Sequence, residues 1–183
     1  ASAEKAAGAR DALRARKPAA SRLTGKASTA FIEPQLCKLA DRPPQGAGWA
    51  HEIKFDGYRM QLRVADGKAT LRTRKGLDWT RKFPEIAHDA ASLPDVVVDG
   101  EIVALDAGGS PDFAGLQAAL SDGRTKDLVF FAFDLMADGE ADLRPLPLSD
   151  RKARLRVLLK PLKSVRLRYV EHFTSGGDAV LSS

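Results

Sequence analysis

Alternating apolar and polar residues predict a run of strands in the middle of the chain. Met60 to Ala65 and Lys68 to Arg74 flank Asp66-Gly67, a dipeptide that favours the two-residue turn of a β-hairpin. The valine-rich stretch from Asp95 to Leu105 predicts a further strand. The apolar stretch from Leu128 to Met136 predicts a buried strand, which ends at a second Asp-Gly turn.

Three other stretches have the spacing of short helices. Pro84 is predicted to begin a helix that runs to about Ser92, because proline suits the first helical turn. Ser110-Pro111-Asp112 can cap a second helix, and Ser149 is predicted to cap a third, with Leu148 as its hydrophobic staple. The apolar faces would comprise Phe113, Leu116 and Leu120 in the second helix and Leu155, Leu158 and Leu159 in the third. Hairpin strands mixed with separate short helices predict an α+β fold.

A charged stretch with the sequence His-Glu-Ile-Lys-Phe-Asp-Gly-Tyr-Arg occupies residues 51–59. If residues 51–56 form a strand, the lysine and both carboxylates share one face, and Ile53 and Phe55 anchor the other face in a core. An amine between two carboxylates, with Arg59 just beyond a glycine turn, predicts the wall of a pocket. The alternative is a solvated amphipathic strand with a chance Asp-Gly turn.

Composition indicates a globular domain in a reducing compartment. Of the 183 residues, 44% are hydrophobic and 29% charged, which is enough for one domain with a core. Cys37 is the one cysteine, so no internal disulfide can form. The sequence has neither a long apolar run nor the core of a signal peptide. These features predict a soluble, cytoplasmic protein.

The net charge of +5 is unevenly distributed along the chain. Residues 1–28 hold seven basic and two acidic side chains, and this Ala-, Arg- and Lys-rich segment is predicted to be a linker to something upstream. Residues 59–82 have eight basic and two acidic side chains, and residues 151–168 have eight basic and none acidic. Residues 85–142 are strongly acidic. Two basic blocks suit contact with nucleic-acid phosphates, although such blocks can also be solvated faces.

Four short motifs follow one another in the order found in a known enzyme family. The first is Lys-x-Asp-Gly-x-Arg at residues 54–59, and the second is Thr-Arg-Lys-Gly at residues 73–76, where the family usually has Ser-Arg-Asn-Gly. The third is Asp-Gly-Glu at residues 99–101, and the fourth is Phe-Phe-Ala-Phe-Asp-Leu at residues 130–135. On these motifs the chain resembles the ATP-dependent DNA ligases.

Two further segments narrow the resemblance to the ligase domain of bacterial non-homologous end-joining ligase D. They are Phe-Ile-Glu-Pro-Gln-Leu at residues 31–36 and Asp-Phe-Ala-Gly-Leu-Gln at residues 112–117. The resemblance covers residues 29–183 and implies the covalent nucleotidyltransferase core, an ATP-grasp-like fold of mainly antiparallel sheets flanked by helices. The family's later motifs, Glu-Gly-hydrophobic-Val-x-Lys and Lys-x-Lys, and its OB domain do not occur before Ser183. We therefore expect residues 29–183 to be the front part of an adenylation domain, which by itself could lack activity.

The resemblance implies a reaction in which a lysine takes up AMP from ATP. A lysine amine attacks phosphorus only when it is unprotonated, and the anionic triphosphate needs cationic help. Lys54 is implied as the nucleophile that forms Lys-AMP, and Glu101 as a contact to the ribose or to Mg²⁺ or Mn²⁺. AMP would pass from Lys54 to a DNA 5′-phosphate, and a 3′-hydroxyl would then displace it to seal the nick.

The same resemblance implies the other nucleotide contacts. Glu52 would hydrogen-bond the adenine amino group, and Arg59 would hold the ribose or phosphate region. Arg74 would contact both the nucleotide and the DNA 5′-phosphate, while Phe133 would stack on adenine. Each has a simpler alternative, since Phe133 could be a core aromatic and Arg74 a surface hairpin residue.

DNA contacts are predicted along the second basic block. Residues 151–168 should lie on the surface near the DNA path, beginning on the third helix with Arg151, Lys152, Arg154 and Arg156. The resemblance further implies nicked or broken duplex DNA as substrate and a bacterial, nucleoid-associated location. It also implies fused or associated nuclease (phosphoesterase) and polymerase domains and a Ku-type end-binding protein.

Other functions remain open at the level of sequence. An RNA ligase or a GTP-dependent mRNA capping enzyme could share these motifs. A non-catalytic nucleic-acid-binding module could explain the basic blocks, but it gives no reason for four motifs in order.

Overall fold

A computed structural model describes residues 30–44, 46–174 and Gly177. The predicted linker at residues 1–28 lies outside this part of the chain. The described elements, in chain order, are β1 (His51–Glu52), β2 (Tyr58–Ala65), β3 (Lys68–Thr73), a 3-10 turn (Thr80–Lys82), α1 (Pro84–Ala90), β4 (Val96–Val103), α2 (Phe113–Ser121), β5 (Val129–Asp138), β6 (Ala141–Asp142), α3 (Leu148–Leu159), β7 (Leu167–Tyr169) and β8 (His172–Phe173). The predicted α+β fold of antiparallel strands with separate helices is confirmed.

The main sheet has six strands and is antiparallel at every pairing but one. Its order is β3-β2-β4-β5-β6, and β7 pairs in parallel with the other end of β5, on the same edge as β6. A separate two-stranded sheet joins β1 to β8. This small sheet connects the stretch before the Lys54 motif to a segment more than a hundred residues further along the chain.

The predicted hairpin forms at Asp66-Gly67. Asp66 and Gly67 both have positive φ, at 50° and 69°, which is the conformation that a two-residue hairpin turn requires. β2 and β3 are in register from Ala65↔Lys68 at the turn to Met60↔Thr73 at the far end.

The two faces of the main sheet differ in chemistry. Even-numbered residues of β2 and β4 point into the larger core, where α1, α2 and α3 supply further apolar residues. The buried members of this face include Met60, Leu62, Val64, Val96, Val98 and Ile102. Odd-numbered residues project from the opposite face, and these include Arg59, Gln61, Asp99 and Glu101. The sheet therefore has one face that packs into the larger core and one face that carries polar groups beside two smaller apolar clusters.

Two helix predictions need separate comment. Asp112 caps α2, because its side chain accepts a hydrogen bond from the backbone nitrogen of Gly115. The predicted capping of α3 by Ser149 is wrong: Pro147 is the N-cap residue, no side chain caps the helix, and Ser149 already lies within it. Leu148 is consequently the first helical residue and is 44% exposed, so it is not a staple. No helix in the described ranges is long and apolar enough to cross a membrane.

β5 contains two irregularities that alter the direction of its side chains. Against β4, Asp134 pairs with Asp99 and Ala132 pairs with Gly100, so Phe133 is an extra residue without a partner in that strand. A second shift leaves Met136 unpaired in the same way. Such bulges re-aim individual side chains. Phe133 lies on the polar face beside Arg59, two residues after Phe131 on the same face, and the bulge brings the following Asp134 opposite Asp99.

Candidate active site

Two glycines allow the strand of the third motif to lie close to the first motif on one side and to the fourth motif on the other. A β-carbon on Gly57 would lie 2.2 Å from the carbonyl oxygen of Ile102 on β4. A β-carbon on Gly100 would lie 2.4 Å from Cζ of Phe130. Neither position can hold a larger residue without a shift of its neighbours. The glycines of Lys-x-Asp-Gly and Asp-Gly-Glu are therefore explained by close packing between strands.

The segment that carries Lys54 is less regular than predicted. β1 ends at Glu52, so the strand predicted for residues 51–56 is wrong beyond its second residue. Ile53 is 43% exposed and does not anchor a core, whereas Phe55 stacks on Phe131 with ring centroids 4.1 Å apart. Lys54 is exposed between these two residues.

Glu101 is a carboxyl group whose pKa lies well above its ordinary value. Burial raises its pKa from 4.5 to about 7, while the positive charges of Arg59 and Lys54 oppose that rise. The negative charges of Asp99 and Asp56 add to it. Lys54 and Glu101, which lie in different motifs, thus act on each other electrostatically across the polar face of the sheet.

Arg59 is held in a fixed position by its neighbours. Its Nε and Nη2 donate to the two carboxylate oxygens of Asp99 at 3.1 and 2.7 Å, and Nη1 donates to the carbonyl oxygen of Gln35 at 3.1 Å. Burial raises the pKa of Asp99, and the hydrogen bonds from Arg59 oppose this rise. The guanidinium carbon also lies 5.1 Å from the ring centroid of Phe133. One guanidinium therefore links the first, third and fourth motifs.

Arg74 is exposed just beyond the end of β3. It lines a small cavity together with Arg59, Asp99, Gln61 and Ile32. Both arginines of the first two motifs thus border one space. A larger cavity of about 600 Å³ has Arg81, Lys82, Arg124 and Lys126 in its wall but none of the predicted site residues.

Glu52 is paired with a lysine that sequence had assigned to DNA. Nζ of Lys152 lies 2.5 Å from Oε1 of Glu52, an ion pair without favourable hydrogen-bond angles. The same Nζ donates to the carbonyl oxygens of Phe133 and Val170 at 3.2 and 3.1 Å. Lys152 is 1% exposed. The prediction that it lies on the surface is therefore wrong, because it occupies the inward face of α3 and is enclosed by these partners.

The other three residues that were predicted to contact DNA divide into two groups. Arg151 is half-buried, and its Nε and Nη2 donate to Asp134 at 2.8 and 2.9 Å. Its guanidinium is therefore already paired within the protein and is not an open surface group as predicted. Arg154 is exposed, and Arg156 is exposed with Glu171 3.3 Å away. Arg154 and Arg156 are thus the two members of this set that are accessible to a phosphate backbone.

Metal binding would rely on few protein ligands. Within the described ranges, no group of three or more His, Cys, Asp or Glu residues could hold a metal ion. Mg²⁺ is commonly bound through one or two carboxylates together with the phosphates of its substrate. Glu101, with Asp56 near it, fits this limited contribution.

Comparison with known structures agrees with this fold. The crystal structure of the ligase domain from M. tuberculosis LigD aligns with a TM-score of 0.63 at 33% identity, covering 73% of this chain and 43% of that one. A mycobacterial DNA ligase D complexed with ATP and MES aligns with a TM-score of 0.62 at 34% identity, covering 73% of this chain and 43% of that one. The helix-backed antiparallel sheet is therefore the fold of an ATP-dependent ligase domain.

The sequence comparisons identify the family. A family model of the ATP-dependent DNA ligase domain matches residues 31–176, and the chain belongs to that family. It is 41% identical over 141 residues to the multifunctional non-homologous end joining protein LigD of Pseudomonas aeruginosa, over 76% of this chain and 17% of that protein. It is 34% identical over 142 residues to the bifunctional LigD of Bacillus subtilis, over 68% and 23% respectively. The chain thus spans less than a quarter of the length of either relative.

No role was predicted for Asp99, and Lys152 was predicted to lie on the surface although it is buried. Asp99 precedes Glu101 by two residues on one strand, so the period of two already places both on the same face. Lys152 precedes Leu155 by three residues and Leu159 by seven, which is the spacing of one helix face. Both placements could have been inferred from these spacings.

Proposed function

We propose that the protein seals breaks in duplex DNA with ATP, through an AMP group carried on Lys54. The observation that supports this most is the position of Lys54: it is exposed, it follows β1, and it acts electrostatically on Glu101 of the third motif. Membership of the ATP-dependent DNA ligase domain family supplies the reaction class.

In the proposed first step, Nζ of Lys54 attacks the α-phosphorus of ATP. A P–N bond forms, and the bond from the α-phosphorus to the pyrophosphate oxygen breaks. AMP then passes to a 5′-phosphate of the DNA, and a 3′-hydroxyl attacks that phosphate, which forms the phosphodiester and releases AMP. Mg²⁺ or Mn²⁺, held by Glu101 and the ATP phosphates, would neutralise charge on the departing pyrophosphate.

The choice of ATP over GTP is proposed to come from Glu52. A carboxylate accepts hydrogen bonds but donates none when ionised, so it favours the amino group of adenine over the carbonyl of guanine. Arg59 and Arg74 lie close enough to border one small cavity, so both could contact the ribose or phosphates of a nucleotide held near Lys54, and Phe133, beside Arg59, offers a ring for stacking. These roles favour an ATP-dependent ligase over a GTP-dependent capping enzyme.

Partners of the whole protein follow from the relatives. LigD of Pseudomonas aeruginosa is named as a multifunctional non-homologous end joining protein, and this chain matches a small part of it. We propose the same pathway here, with nuclease (phosphoesterase) and polymerase domains fused or associated and a Ku-type protein at the DNA ends. The location would be the bacterial cytoplasm, at the nucleoid.

The test is transfer of label from nucleotide to protein in the full-length natural polypeptide. Incubation with α-labelled ATP should label the protein, α-labelled GTP should not, and Lys54→Ala should abolish labelling. Lys126→Ala, a change of another exposed lysine, is the control and should label normally. Joining of a pre-adenylylated nick should survive Lys54→Ala, since that step needs no protein nucleophile.

Each other outcome would exclude the proposal. Label retained by Lys54→Ala would exclude Lys54 as the nucleophile. Label from GTP alone would indicate a capping enzyme, and salt-sensitive DNA binding without label from either nucleotide would indicate a non-catalytic module.

A further inference from the structure

Lys152 occupies a helix position where an apolar residue would be expected. It lies on the same face of α3 as Leu155 and Leu159, both of which belong to the larger core. A buried charge costs several kcal/mol of desolvation, and a buried ion pair is often no more stabilising than apolar residues of similar size. Stability of the core alone therefore gives little reason for a lysine here.

The partners of Lys152 come from three separate parts of the chain. Its Nζ contacts the carboxylate of Glu52 at the end of β1, the carbonyl oxygen of Phe133 in the β5 bulge, and the carbonyl oxygen of Val170 after β7. The Nζ also lies 4.8 Å from the ring centroid of Tyr169. The ammonium group thus donates two hydrogen bonds to backbone carbonyl oxygens and forms an ion pair with Glu52.

Two of these partners are the residues proposed to recognise the base. Glu52 would accept from the adenine amino group, and Phe133 would stack on the ring. Lys152 takes one carboxylate oxygen of Glu52, which leaves the second oxygen for a ligand. It also holds the backbone carbonyl group of Phe133 within the bulge.

We propose that Lys152 is a positioning residue for base selection, holding the Glu52 carboxylate and the Phe133 bulge in a fixed relation. This inference rests on the proposed function, because it needs Glu52 to face the base of a bound nucleotide. Removal of the Lys152 ammonium should reduce the preference for ATP over GTP through Glu52. The same change should weaken the binding of ATP and of GTP equally through its effect on Phe133, since stacking depends little on which base is present.

The test measures both binding and transfer in the full-length polypeptide. Dissociation constants for ATP and GTP are measured by calorimetry in the Lys54→Ala background, where no AMP transfer follows binding. Lys152→Met should lower the ATP-over-GTP preference about tenfold or more, the scale of one charge-assisted hydrogen bond. Initial rates of label transfer with Lys54 intact should show the same loss of preference in kcat/KM.

A double variant distinguishes an effect of Lys152 on Glu52 from a general folding defect. Lys152→Met leaves Glu52 without its partner, whereas Glu52→Gln/Lys152→Met removes both charges together. If Lys152 acts through Glu52, the double variant should have the same base preference as Glu52→Gln alone. Arg166→Met is the matched control: it removes a partly buried ion pair with Asp89, distant in sequence from Glu52, and should leave base preference unchanged.

The outcomes separate this inference from the proposed function. If the wild type takes label on Lys54 and folded Lys152→Met keeps the wild-type preference, only the role of Lys152 is refuted. A further loss of preference in the double variant, beyond Glu52→Gln, would also refute it. If the wild type takes label from neither nucleotide, the proposed function and this inference both fail.

Discussion

The raised pKa of Glu101 has a consequence for the free energy of unfolding that can be measured without nucleotide. In the folded protein the pKa is about 7, against an ordinary value of 4.5. Well below pH 4.5 the group is protonated in both states and contributes no pH dependence. As the pH rises towards 7, the unfolded chain gives up its proton first, so the folded state is progressively disfavoured.

The size of this effect follows from the difference between the two pKa values. A difference of about 2.5 corresponds to at most about 3.4 kcal/mol. Glu101 is only half-buried, and solvent screening reduces the expected contribution to about 1–2 kcal/mol. Glu101→Gln keeps the shape of the side chain but removes the titration, so the variant should lack this part of the pH dependence.

The measurement is urea denaturation of wild type and Glu101→Gln from pH 4.5 to pH 8, in buffer with a chelator to exclude divalent cations. Across that range the wild type should lose about 1–2 kcal/mol more stability than the variant. Asp99, whose pKa is also raised by burial, is present in both proteins, so its contribution cancels in the difference. Glu33→Gln, a change of an exposed carboxyl, should follow the wild type. Parallel curves for wild type and Glu101→Gln, or a relative gain by the wild type, would refute the reasoning.

Two further predictions concern packing and DNA. Gly100→Ala would place a β-carbon 2.4 Å from Cζ of Phe130 and 2.6 Å from the carbonyl oxygen of Phe131, and it should lower the free energy of unfolding by about 2–3 kcal/mol in urea denaturation. An unchanged denaturation midpoint would contradict the close approach of these strands. Charge removal at Arg154 and Arg156 should weaken nick binding and reduce its salt slope by about 1 for each phosphate that is no longer neutralised, while label transfer from ATP stays the same. An unchanged slope would show that these two arginines are a solvated face.

The parts of the fold that sequence predicted well depend on local rules. The β2–β3 hairpin follows from an Asp-Gly pair between alternating residues, and β4 follows from its run of valines. The cap of α2 follows from Asp112, whose side chain acts three residues away. In each of these cases the residues that determine the structure lie within a few positions of it.

The parts that sequence missed depend on distant residues. β1 ends at Glu52 because its partner β8 has only two residues, and that partner lies more than a hundred residues away. Ser149 fails as a cap because the helix already begins at Leu148, after the N-cap residue Pro147. The bulge at Phe133 has no local sign, since residues 128–133 are uniformly apolar and show no break in alternation.

The roles assigned to the motif residues stay predictions, but the proximity of three of them agrees with the order of the motifs. The positive charges of Lys54 and Arg59 both act on the Glu101 carboxyl group. The link between Glu52 and Lys152 was not foreseen, because eight basic residues in 151–168 suggested a surface block. Charge along the sequence does not reveal which member of such a block faces inward.

In β2 and β4, alternate residues serve different purposes: even positions pack into the larger core, and odd positions carry the polar groups. Replacements at even positions can change among apolar residues without altering the polar groups, and the polar odd positions can change without repacking the larger core. The two sets depend on one shared register, because a shift by a single residue exchanges the faces. A one-residue deletion within β4 would therefore exchange the faces of Val98 and Asp99, and the polar face and the larger core would be disrupted together.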